Sequence, residues 1–573
     1  MPLNKLGNSA ILIIIAAEGL SQPLAADTFR ITSSFGEYRH LHFHAGFDYS
    51  TGGRSGVPVL ALDDGVLFRA SFSPWGYGKS LWLMTKGGLI VRYVHLDRFT
   101  PRTDSLVYLF RKENRADTGT IEMGVKVKKG QVIAYSGETG AGPPHLHLEI
   151  YDSAGRLVNP WDLGFRYPDT VSPTIRGISA VPIDGLVEGL PFESFYPASG
   201  NLVPETIRVS GRFGLMLWAQ DKWAGEVGVR GVKLTIGDSL VFFLDFSEID
   251  PADNAWADAL YAFQGGMNSA SPIRCWFLNP KEELRAARAL PYIDLPEGVY
   301  QGKAEAWDCA GNRAFVKFVV KVGPYPPSYK PPLSWDIKDR GFSLRAFGYG
   351  TLILSRLRLN GIQPILETDS GYLYWINRDT SIDVARFKVI TKTMGPDGGE
   401  VSAFGWGIRA PAAALACSTQ WVFYRDSQNV AVLPKYPPTS ARCTLFLREA
   451  DSLGIYITDQ DGKTLRYLGK ATGAPAGRFG FLRGARDTEP PEIKKITENP
   501  GLFEFKLKDE GTGIQEVSLL VDGEWVPGDY DPEEGKYSYR PLMPLLPGDH
   551  PWRITARDYQ GNETSLEGVL RVK

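Results

Sequence analysis

One turn is written twice in this chain, and it constrains the fold more than any other feature. Asp308-Cys309-Ala310-Gly311-Asn312 returns as Asp558-Tyr559-Gln560-Gly561-Asn562. Upstream, Asp169-Thr170-Val171-Ser172-Pro173-Thr174-Ile175 returns as Asp487-Thr488-Glu489-Pro490-Pro491-Glu492-Ile493. Between these landmarks, Asp221 and Asp509 each precede a glycine-containing stretch and a strand-like run, Gly231–Ile236 and Glu516–Val521. Three landmarks in one order mark an internal repeat. Asp and Asn side chains satisfy nearby backbone and glycine takes positive φ, so the Asp-x-x-Gly-Asn segments are turns.

The two copies resemble bacterial immunoglobulin-like β-sandwiches, in which such a turn leads into the last strand. The first copy carries long insertions, and the stretch around Asn254 to Pro291 is expected to be partly helical. Pro324-Tyr325-Pro326-Pro327 and Lys330-Pro331-Pro332 read as a stiff linker. A length of 573 residues suggests roughly three to five domains. The expected division is a leader over 1–26, a first domain over 28–168, and an immunoglobulin-like domain with insertions over 169–323. A β-rich region of unnamed type follows over 324–486, and a second immunoglobulin-like domain over 487–573. Short apolar runs such as 57–62, 80–84 and 89–94, punctuated by glycine, with no sustained 3.6-residue period, make the first domain mostly β as well.

Lys5 precedes the apolar run 10–17, which is too short for a bilayer span of about 20 residues. Small residues follow at Ala25-Ala26. The segment reads as a secretory signal peptide, with a buried strand or helix start as the alternative. Export to a periplasm or cell envelope is therefore expected. No membrane span is expected, and a formal net charge of −2 gives no reason to expect a nucleic-acid partner. In an oxidising compartment Cys275 can pair with Cys309 and Cys417 with Cys443; four unrelated thiols are the alternative. No Cys-x-x-Cys pair exists, which argues against a thiolate zinc site.

Six of the seven histidines lie in the first 150 residues: His40, His42, His44, His95, His145 and His147. In His145-Leu146-His147, residues i and i+2 of a strand face one side, so both imidazoles can reach one site. Alone this pair is weak. His44-Ala45-Gly46-Phe47-Asp48 adds an imidazole and a carboxylate. A straight strand would separate that pair by about 13 Å, so the chain must bend between them, and Gly46 permits it. Two histidines and one aspartate leave a fourth position open, as in catalytic zinc sites.

From Ser34-Phe35-Gly36 through His44-Ala45-Gly46-Phe47-Asp48, Gly76-Tyr77-Gly78, Tyr93-Val94-His95-Leu96 and Ser136-Gly137-Glu138-Thr139-Gly140 to His145-Leu146-His147-Leu148-Glu149, residues 33–151 resemble the lysostaphin-like, LytM-type zinc metallopeptidases. The resemblance implies a β-sheet peptidase domain that binds Zn2+ and cuts peptide stems of bacterial peptidoglycan. It implies His44, Asp48 and His147 as metal ligands and His145 as general base toward the attacking water. His95 would pair with His145, orienting the water or stabilising the oxyanion. His40 and His42 lie outside the motif and are expected at the surface or groove rim.

Some LytM-type domains have lost ligands and act as adaptors that regulate other wall hydrolases. Here all five positions are filled, which favours an enzyme; a protease of extracellular protein is a third reading. One departure from the family is a charged insert over 97–123, expected as a long loop that lines the groove or is merely solvated. The downstream domains carry no catalytic cluster. They are expected to space the enzyme, cover the groove, or bind wall or an envelope protein partner. Residues 172–573 are expected to be dispensable for the chemical step.

Overall fold

In a computed structural model of the chain, residues 20–25, 30–39 and 42–573 are described, apart from 141, 223–225, 263–270, 277–283, 327–341, 348, 369–370, 385–386, 413, 416–417, 426–429, 434–442, 449–452, 459–463 and 477–480. The apolar run 10–17, His40, Cys417 and most of the expected linker lie outside the described residues. The chain is built mainly of strands, as expected. Among the described residues no helix is long and apolar enough to cross a membrane.

The first domain is organised around one antiparallel sheet. Its strands run in the order Ile31–Ser33, Phe47–Ser50, His145–Tyr151, Ile90–Phe99, Lys79–Thr85, Gly65–Phe72, Gly119–Val127. Val132–Ser136 pairs with the far end of Ile90–Phe99 and with Pro58–Leu60. Leu24, inside the expected leader, is 2 % exposed and bridges to Val59. Alternating strand residues such as Leu81, Leu83, Val91 and Tyr93 are fully buried.

The insert is not a loop. Pro101–Asn114 is an α-helix, with Pro101 at its first position, Asp104 in its first turn, and left-handed Arg115 closing it onto the Arg111 carbonyl. Its buried residues are Thr103, Val107 and Arg111. They are spaced by four and form one stripe, but two of the three are polar, so the helical period was invisible to a search for apolar residues.

Downstream, the repeat landmarks meet in space. Asp169, Asp221 and Asp308 cluster at one end of the unit built on Thr174–Pro182 and Arg313–Val322, and Asp487, Asp509 and Asp558 cluster in the same way. In both copies the last aspartate accepts the backbone N–H and the side-chain amide of its Asn, Asn312 or Asn562. Residues 492–572 form two four-stranded sheets that enclose one core, with Phe503, Phe505 and Tyr537 from one sheet and Leu519, Trp552 and Ile554 from the other. Residues 342–485 are also strand-rich, in three further sheets.

The disulfide pairing fails. Cys275 and Cys309 are free thiols: Cys275 follows a strand paired to Phe213–Lys222, whereas Cys309 lies in the turn after Gly298–Trp307, on a different sheet. Cys443 is likewise free and buried. Nor does the first domain bury its core alone, because one continuous cluster runs from Ile31 and Phe43 to Phe246, Tyr261 and Phe318. The insertion supplies the joint. It is partly helical, as expected, over Pro251–Trp256 and Ala257–Leu260. Tyr38 donates to Asp258 at 2.8 Å, Tyr261 donates to the Gly36 carbonyl at 3.1 Å, and Leu157–Val158 pairs with Glu248–Ile249. Gly36, at φ +80°, lies flat against the Phe246 ring, which would overlap any Cβ placed there.

Candidate metal centre and active site

The strand register assembles the site. Phe47–Ser50 and His145–Tyr151 are antiparallel, and His147 is directly opposite Asp48. His44 lies on the bend just before Phe47. Gly46 is essential to that bend for a reason other than dihedral freedom: a Cβ there would sit 1.9 Å from the Leu148 carbonyl oxygen. The backbone of the bend thus lies directly on the strand that carries both histidines. His95 joins from Ile90–Phe99, where the pairing with Lys79–Thr85 shifts register. Its φ is +60°, a left-handed conformation that costs a non-glycine residue about 1–3 kcal/mol and persists only where its surroundings enforce it.

His44 Nε2 and His147 Nδ1 are 3.0 Å apart, and each is within 3.0 Å of Asp48 Oδ1. His145 Nε2 is 3.7 Å from the same oxygen, and its ring centroid is 4.6 Å from that of His95. The opposite nitrogens explain the arrangement. His44 Nδ1 faces the Ser34 carbonyl at 2.7 Å, His95 Nδ1 the Thr139 carbonyl at 2.9 Å, and His145 Nδ1 the Pro143 carbonyl at 2.7 Å. His147 Nε2 faces buried Glu149 at 3.2 Å. A carbonyl or carboxylate only accepts, so each of these nitrogens carries the proton and the other presents a lone pair inward. Two lone-pair nitrogens and a carboxylate oxygen that converge this closely cannot bond one another. They fit a cation between them, and the outer partners fix tautomer and orientation as in metal-bound histidines.

Electrostatics agree. Burial would raise the Asp48 carboxyl, but His44 and His147 outweigh it and hold it well below the usual carboxylate range. Burial pulls His147 down, yet its bonds to Asp48 and Glu149 lift it to about 9, so without an ion Nδ1 carries a proton toward Asp48, and an ion that takes the Nδ1 lone pair displaces that proton. Burial and the neighbouring histidines push His95 down to about 3, so it is neutral near pH 7.

Residues 42–160 match the model described as Peptidase family M23. The chain carries an M23 peptidase domain. Its curated relatives include an uncharacterized metalloprotease of Haemophilus influenzae, 30 % identical over 150 residues, which are 25 % of this chain and 26 % of that protein. Another is the glycyl-glycine endopeptidase ALE-1 of Staphylococcus capitis, 30 % identical over 108 residues, 18 % of this chain and 24 % of that one. The match thus spans about a quarter of these relatives' length. Among solved structures, a zinc containing peptidase from Vibrio cholerae is 26 % identical over 26 % of this chain and 41 % of that chain, with a TM-score of 0.20.

All five residues singled out in the sequence come together in the M23 domain. His42 is exposed on the short strand His42–Phe43. Several supporting residues carried no assignment. Glu149 lies on the same strand face as His145 and His147, two residues on, and takes Arg92 at 3.4 Å and the Tyr151 hydroxyl at 2.8 Å. Arg92 in turn lies under the Tyr77 ring, 3.6 Å from its centroid. Arg39 bonds Glu37 at 3.0 Å and the Ser33 hydroxyl, and reaches Asp48 Oδ2 at 3.8 Å. The i+2 spacing of Glu149 was a usable signal; Thr139 and Ser34 act through backbone carbonyls and left none.

Proposed function

We propose that this chain is an exported zinc metalloendopeptidase that cleaves peptide cross-links of bacterial peptidoglycan. The observation that carries the reading is the convergence of nitrogens of His44, His147 and His145 on Asp48, with the His95 ring beside His145, inside an M23 domain. A domain kept only as an adaptor has no need to retain all five groups. The relative named a glycyl-glycine endopeptidase supports a wall substrate.

In this reading His44 Nε2, Asp48 and His147 Nδ1 hold the ion. Bound zinc would polarise the scissile carbonyl and acidify the attacking water. His145 Nε2, a lone pair beside the ligand set but 3.7 Å from Asp48, takes the water's proton. His95, neutral and with its Nδ1 proton committed to Thr139, faces His145 as an acceptor that orients the water. That tautomer favours orientation over oxyanion stabilisation, which requires a donor. Glu149 and Arg39 hold the ligands in place. The two repeat copies, 169–323 and 487–573, are read as immunoglobulin-like domains.

The test uses the full chain and purified sacculi, with mass analysis of released fragments. New amino termini should appear, disappear with a chelator, and return with added zinc. No release from any sacculus, beside stimulation of a separate wall hydrolase, would replace the enzyme with an adaptor.

A further inference from the structure

The last domain does not hang free of the first. The strand Asp529–Asp531 and the turn after it reach back across the sequence to the M23 domain. Asp529 lies between two cations, Lys79 Nζ at 2.7 Å and Arg111 Nη1 at 2.8 Å. Both are well buried, with side chains 14 % and 7 % exposed. Arg111 also donates to the Gly528 carbonyl, and Tyr108 of the same helix meets the Tyr539 hydroxyl at 3.2 Å and packs on the last domain's core. The insert helix is therefore the platform on which that domain sits.

The contact extends to the loops beside His95 and His145. Tyr530 packs edge-on against Trp75, and Glu533 accepts the Gly142 N–H at 3.3 Å. These are the two loops that hold His95 and lead into His145. Lys79, gripped by Asp529, also donates from Nζ to the Asp97 carbonyl. Its backbone N–H donates to Thr139 Oγ1, whose hydroxyl donates to the Leu96 carbonyl. The Thr139 carbonyl takes the Nδ1 proton of His95, and the His95 N–H goes to the Tyr77 carbonyl. The loops touch so closely that a Cβ on Gly78 would sit 2.0 Å from the Thr139 oxygen. His95 holds its left-handed backbone inside this knot. The docked domain leaves the rim open, since Trp75 and Tyr77 are still 46 % and 40 % exposed. It braces the site without closing it.

We propose that the C-terminal domain is a positioning element of the active site, with Asp529 as its positioning residue acting through Lys79 and Thr139 on His95. This rests on the reading of His95 and His145 as catalytic. Displacement of a reacting group by about 1 Å can cost up to about 10²-fold in rate.

The experiment compares the full chain with its Asp529→Asn, Asp529→Glu and Glu524→Gln variants. It measures kcat and KM on a short cross-linked peptide, zinc content, and the ring resonances of 15N-labelled histidines. Asp529→Asn should lose about 10–100-fold in kcat with KM little changed and zinc retained. The His95 ring signals should move, and Asp529→Glu should recover part of the rate. Glu524→Gln, which removes only the exposed pair with Lys112, should match wild type. Should Asp529→Asn not fold, Tyr530→Ala removes a ring contact without stranding a charge and must show the same kcat loss. Wild-type kcat and unmoved His95 signals in the folded variant overturn the proposal, as does a change confined to KM. If wild type cuts no peptide, the proposed function has failed, and the His95 signals alone decide: movement supports the positioning role and identity overturns it.

Discussion

Glu149 is the residue whose replacement tests the histidine geometry most directly. It is fully buried, yet burial, which alone would raise its carboxyl, is outweighed by His147, Arg92 and Tyr151, and it is held at about 2 against an ordinary 4.5. Two and a half pH units correspond to roughly 3 kcal/mol. The group is lowered in the folded state, so its stabilisation is complete above about 4.5 and disappears as pH falls toward 2. Glu149→Gln keeps the volume and an acceptor oxygen but strands Arg92. It should cost about 3 kcal/mol at pH 7 and flatten the loss of stability between pH 4.5 and 2. The same change weakens the partner that fixes His147 with Nδ1 inward. Loss of such an outer partner typically costs 10–100-fold in metal affinity, or about 1.4–2.7 kcal/mol. Zinc competition against a chromophoric chelator reads the affinity, and denaturant melts at several pH values read the slope. Wild-type affinity in a folded Glu149→Gln protein would refute the Glu149 carboxylate as an outer partner that strengthens the metal site.

Further outcomes follow from the same contacts. His145→Ala and His95→Ala should lose about 10²–10⁴-fold in turnover with zinc retained; metal analysis showing zinc lost from His145→Ala would exchange the roles of the two histidines in the pair. Gly46→Ala places a methyl within 1.9 Å of the Leu148 oxygen and should destabilise by more than about 3 kcal/mol and abolish zinc binding, read by melting and metal content. Asp221 is held up at about 7 by burial and by Asp308 and Asp169, against 3.8 when exposed, so it withdraws stability as pH rises between those values. Asp221→Asn should therefore raise Tm at pH 8 and leave it unchanged at pH 3; no gain at pH 8 would be evidence against that burden. A fragment ending near Asp169 exposes the faces that meet Phe246 and Tyr261 and should aggregate or melt well below the full chain, checked by scanning calorimetry of both.

The site was legible because its signals are local. A His-x-His pair on a strand and an aspartate four residues after a histidine survive any change in the rest of the chain. The repeat was legible for the same reason, since Asp308 and Asn312 bond within one turn. What was hidden depends on residues far apart. The insert helix buries Arg111 in its stripe, where it pairs with a carboxylate more than four hundred residues downstream. The joint at Gly36 is invisible without Phe246 beside it. Cysteine spacing suggested a disulfide, but two residues 34 positions apart (Cys275 and Cys309) ended beside strands of different sheets.

The ion pair between Lys79 and Asp529 spans 450 residues of chain. Synthesis runs from the amino terminus at about 5–20 residues per second, so Asp529 is made roughly 20–90 s after Lys79. Throughout that interval the histidines exist without the brace that the last domain lays across their loops. The chain thus contains its own delay: a molecule interrupted before its final strands carries all five proposed site residues and lacks the domain proposed to position them.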